Sequence, residues 1–99
     1  MNDQELARQI VAHLGGDGPN NYAAYSIVID GIAHWMPAEK LVNDWRVAGA
    51  MMERCDSIII GKGARFRVEV TMNELSWVEP TYGESLPRAL NEACSEALS

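Results

Sequence analysis

Only two cysteines occur in the 99 residues, Cys55 and Cys94, which excludes a disulfide framework as the source of stability. Each falls on the apolar side or end of an expected helix, where a thiol serves as a small hydrophobe rather than a redox or metal group. Other soft ligands are equally scarce. His13 and His34 are the only imidazoles, and none of the four groups pairs at the close spacing of a structural zinc site, so no metal or cofactor is expected. No apolar run reaches the ~18 residues of a membrane span. The polar start MNDQELARQ lacks the basic and apolar segments of a secretory signal, so a cytoplasmic location is expected.

Bases are missing from one part of the chain in particular. Up to Val68, eight acids face seven bases; from Glu69 onward Glu69, Glu74, Glu79, Glu84, Glu92 and Glu96 face only Arg88. A field of that sign repels nucleic acid and anionic membrane and favours basic partners. Catalytic motifs are lacking too. There is no Gly-x-Ser-x-Gly elbow, and Gly61-Lys62-Gly63 is too short for a phosphate loop and precedes a strand instead of a helix. A hairpin turn is the better reading of those glycines. Lys62, Arg65 and Arg67 make a small basic stripe, which is weak support for nucleic acid in an acidic chain. No enzyme is expected.

What the sequence does contain is enough apolar material, 47% of residues, for the single core of one domain spanning residues 1–99. Leu6, Ile10, Val11 and Leu14 recur at helical spacing, which predicts a first helix from Asp3 to Leu14 with Asn2 or Asp3 as its cap. Gly15 to Tyr22 reads as an exposed loop. Asp30-Gly31 fits a two-residue hairpin turn between YSIVI and IAHW. A helix from Pro37 to Cys55 then carries Leu41, Trp45, Ala48, Met52 and Cys55 on one face, with Trp45 at the middle of the core. Ser57–Ile60 and Arg65–Thr71 form a second hairpin, the latter alternating with Phe66, Val68 and Val70 on one side. A short strand near Leu75–Val78 follows, and a final helix starts with Ser85 as N-cap. Because IVI and III are apolar at consecutive positions, two strands are expected to be covered on both faces. The fold class is therefore α+β: an antiparallel sheet of four to five strands covered by three helices, an α/β/α sandwich.

Pro37, Trp45 and Met51 match the spacing of a Pro-Ser, Trp and Met pattern, and SLPRALNEACSEAL matches a closing helix, in small tailed-phage proteins grouped as the phage ABA sandwich domain. The chain resembles that family over about half its length, mainly in packing residues. Ala38 departs from the capping Ser, and the Asp30-Gly31 hairpin looks like an elaboration. The resemblance implies an α/β/α sandwich of phage or prophage origin acting in a bacterial host, without a shared catalytic residue.

The stretch from Trp77 to Tyr82 mixes aromatics, proline and acids outside a regular element. Such a mixture suits protein binding, with Trp77 and Tyr82 as anchors and Glu69, Glu74, Glu79 and Glu84 selecting a basic partner. The alternative is that both aromatics pack between the last strand and the final helix. The leading expectation is an accessory protein that binds a host or phage protein with a basic surface, for instance as an anti-CRISPR-like inhibitor of a host defence complex. It contacts neither nucleic acid nor membrane, and a homodimer is left open. The rivals are a small metabolite- or nucleotide-binding protein or enzyme, and a virion assembly protein.

Overall fold

The computed structural model describes residues 1–72 and 79–99. The expected strand near Leu75–Val78 lies outside the described residues, as do Glu74 and Trp77. Among the described residues nine elements follow in order: α1 (Asp3–Leu14), β1 (Ala24–Ile29), β2 (Ile32–Pro37), α2 (Ala38–Val42), α3 (Trp45–Met52), β3 (Ser57–Lys62), β4 (Phe66–Thr71), β5 (Thr81–Gly83) and α4 (Leu86–Leu98). The class is α+β, as expected from the sequence.

Local signals act where they were read. The Asn2 side chain accepts the Glu5 amide at 2.8 Å and caps α1. Asp30 and Gly31 take positive φ, 51° and 79°, and close the β1–β2 hairpin in register Ile29↔Ile32 through Ala24↔Pro37. The loop after α1 is pinned to β1 by reciprocal backbone bonds between Asp17 and Ser26. β3 and β4 pair antiparallel from Ser57↔Thr71 to Lys62↔Phe66, and β5 adds to β4 through Phe66↔Gly83 and Val68↔Thr81.

The long central helix divides. Asp44 accepts the amides of Arg46 at 2.8 Å and Val47 at 3.3 Å, so a new helix starts there with its own cap. Asn43 turns back to the Glu39 carbonyl at 2.9 Å. The break resets the helical phase: Val47, Ala48 and Met51 face the core, and Trp45, in the first turn of α3, is 60% exposed rather than central. Ser85 holds the N-cap position of α4, but its hydroxyl donates to Asn43 Oδ1 at 2.8 Å instead of capping its own helix.

The strands form two sheets, β1–β2 and β3–β4–β5, rather than one. The helices lie between them: α1, α2 and α3 pack on the first sheet, and α4 packs on β4 and β5 while touching the other three helices. The central position of α4 is written in its burial, since Pro87, Ala89, Leu90, Asn91, Ala93, Cys94 and Ser95 are all enclosed, far more than one stripe. Tyr25, Ile27 and Met36 reach this helical layer from one side, and Val68 and Val70 from the other. Tyr25 also ties β1 to α1 through its hydroxyl, 2.7 Å from Gln4 Oε1. With the helices in the middle, the outer face of each sheet carries no other element among the described residues. That corrects the expectation that IVI and III are covered on both sides: Val28 is 63% and Ile59 58% exposed.

Candidate functional site

The alternation of β4 sends Val68 and Val70 into the core and leaves Arg67 and Glu69 on the outer face. Register then builds a row across three strands. Gly61 of β3 and Tyr82 of β5 both oppose Arg67, and Ile59 opposes Glu69. Because residues directly opposite in an antiparallel pair share a face, Ile59, Gly61, Arg67, Glu69 and Tyr82 form one surface.

Tyr82 is half exposed at 50%, and its ring is held from two directions. The Arg65 guanidinium lies over it, 5.3 Å from the ring centroid, a cation–π distance. Arg67 Nε donates to its hydroxyl at 3.3 Å. Arg67 also pairs with Glu69. The Tyr82 hydroxyl, and after it the Glu69 carboxylate, hold the Arg67 pKa above its ordinary value.

Gly61 contributes no side chain to the row, so beside Tyr82 the surface sinks into a cleft of about 380 Å³ lined by Gly61, Lys62, Gly63, Ala64, Arg65, Arg67 and Tyr82. Three bases border this hollow. The basic stripe noted in the sequence is thus an aromatic-centred cleft, in a protein whose net charge is −6.

Of the six residues singled out as partner contacts, four lie within the described residues. Glu69 and Tyr82 meet through Arg67 on the open face. Glu79 is exposed and lies close enough to Glu96 to help raise that carboxyl's pKa; burial is the largest cause there, followed by Glu92. Glu84 is exposed just past β5. Glu74 and Trp77 fall outside the described residues. Lys62, Arg65, Ile59 and Gly61 were not singled out as partner contacts. The alternation of RFRVEV places Arg65, Arg67 and Glu69 on one side, but nothing local in the sequence brings Tyr82 to them.

Neither thiol is activated as a nucleophile. Burial pushes the Cys94 thiol well up and the Cys55 thiol up, with a hydrogen bond from Cys94 opposing the shift at Cys55. A thiol with a raised pKa carries little thiolate at neutral pH. Cys55 also points its sulfur at the Met51 carbonyl, 3.6 Å away. Among the described residues no group of three or more metal-ligating side chains converges, and no helix is long and apolar enough to cross a membrane.

In comparison with known proteins, the chain matches no family model, no curated protein and no solved structure.

Proposed function

We propose that this chain is a phage-encoded accessory protein that works by binding a host or phage protein, in the manner of an inhibitor of a host defence complex, and not by catalysis. The phage origin rests on the resemblance at Pro37, Trp45, Met51 and the closing helix. The observation that carries the binding reading is the half-exposed Tyr82 on the outer face of β3–β4–β5, fixed by Arg65 and Arg67. A fixed aromatic with charges at its margin has the composition of a binding hot spot. Fixing the ring in advance lowers the ordering cost of association.

The acids act at longer range. Glu79 and Glu84, exposed outside the basic cleft, steer the basic surface of the partner, while the part of the partner that meets the Tyr82 anchor supplies acceptors for Arg65 and Arg67. Affinity capture from the host with wild-type protein and with Tyr82→Ala tests this. A partner retained by the first and lost with the second supports the reading, provided that Trp45→Ala, exposed on another element, retains it. A partner held equally by all three contradicts it.

The cleft favours a second reading. Lys62, Arg65 and Arg67 around a 380 Å³ hollow suit a small anion such as a nucleotide. Titration with a mononucleotide, followed by the amide resonances of Gly61 to Arg67, separates the two. Saturable shifts that vanish in Arg67→Ala favour the small ligand, and unchanged spectra favour the protein partner.

A further inference from the structure

β3 is an edge strand, paired with β4 on one side and with no strand on the other among the described residues. Its outer backbone groups are a template for another strand. The segment is long for an unprotected edge, six residues with three consecutive isoleucines; Ile59 is 58% and Ile60 47% exposed. No proline interrupts it. Charges stand only at its limits, Asp56 just before and Lys62 at the end, both exposed and neither in an ion pair among the described residues.

We propose that β3 pairs antiparallel with β3 of a second copy of this chain, joining two three-stranded sheets into one of six strands. The strand is its own complement. With the two-fold axis at Ile59, Ile59 opposes Ile59 of the second copy, Ile58 opposes Ile60, Ser57 opposes Gly61, and Asp56 opposes Lys62 at each end. Every opposed pair then lies on a single face, as antiparallel pairing demands, because Ser57, Ile59 and Gly61 face outward with Glu69 and Arg67, while Ile58 and Ile60 face inward with Val70 and Val68.

Neighbouring registers are worse. Centring on Ile58 sets Lys62 against Arg54, two like charges. Centring on Ile60 sets Lys62 against Ile58 and leaves Asp56 opposite Ala64. Only the Ile59 register matches isoleucine with isoleucine and acid with base at both ends. It also places both helical layers on the same side of the joined sheet, so each exposed Ile60 is covered by the other copy's Ile58.

This inference uses the sheet edge, not the Tyr82 face, and the two fail separately. Sedimentation over a range of concentrations should show a reversible dimer. Lys62→Asp should weaken it about tenfold or more, since two attractive pairs become repulsive. The exchange Asp56→Lys with Lys62→Asp should restore it, and Tyr82→Ala should leave it unchanged. Ile59→Lys, which places two ammonium groups at the axis without touching the core, should give a monomer with unaltered circular dichroism. A wild-type monomer at every concentration would overturn the proposal. So would a dimer indifferent to Lys62→Asp, or one broken by Tyr82→Ala, which would indicate face-to-face contact.

Discussion

Asn91, at the middle of α4, donates its side-chain amide to the carbonyl of Val42, the last residue of α2, at 3.0 Å and with no exposure to solvent. Helix ends leave carbonyls without intrahelical partners, and burial makes that costly unless another group supplies the bond. Asn91 supplies it, so the central helix and the break after α2 hold each other. Asn91→Ala should lower stability by about 1–3 kcal/mol in denaturant unfolding. Asn91→Asp should cost more at neutral pH, because a carboxylate cannot donate to Val42 and is itself buried. A neutral outcome for both would mean that the bond contributes nothing net.

The break also sets apart two adjacent residues. Asp44 caps α3, and its pKa is lowered by the hydrogen bond from the Arg46 side chain first, then by the backbone amides of Arg46 and Val47, against an opposing effect of burial. A depressed carboxyl stabilises the fold above its unfolded pKa of ~3.9 and loses that contribution as pH falls through the folded value. Asp44→Ala should cost about 1 kcal/mol at pH 7, and Asp44→Asn, which keeps a capping oxygen, less. Trp45→Ala should stay within about 0.5 kcal/mol of wild type. A Trp45→Ala loss of about 3 kcal/mol or more, the scale of a buried aromatic, would mean that the helix runs unbroken through Asn43.

Glu96 behaves in the opposite sense. Burial, then Glu92 and Glu79, raise its pKa, and the N-terminal ammonium partly opposes them. A raised carboxyl destabilises the fold when ionised, so stability falls as pH rises from the unfolded pKa of ~4.3 through the higher folded value. Glu96→Gln should therefore stabilise at pH 7, by no more than about 0.5 kcal/mol because the group is screened by solvent. The gain should disappear below pH ~4, where wild-type Glu96 is protonated. Thermal melts of both proteins at the two pH values check this.

Much of this architecture was legible because it depends on nearby residues. The Asn2 cap, the Asp30-Gly31 turn and the two hairpins follow from preferences acting over two to four positions. The break at Asn43-Asp44 lies inside an otherwise continuous apolar stripe, and the periodicity of Leu41, Trp45 and Ala48 hides it. Layer order was less accessible. Consecutive isoleucines suggest burial on both faces, yet Ile59 and Ile60 are exposed because β3 lies at an edge and the helices fill the middle. The candidate site was half visible: alternation placed Arg65, Arg67 and Glu69 together, whereas Tyr82 joins them only through the β4–β5 register.

The central claim is that Tyr82, fixed between Arg65 and Arg67 on the outer face of β3–β4–β5, anchors a protein partner. The most direct measurement is the affinity of that partner for wild-type protein and for Tyr82→Ala, with thermal stability recorded on the same samples. Truncation of a binding anchor costs about 2 kcal/mol or more, so the account predicts at least about tenfold weaker binding with the melting temperature nearly unchanged. Equal affinity for the two proteins, with the fold intact in both, would contradict it.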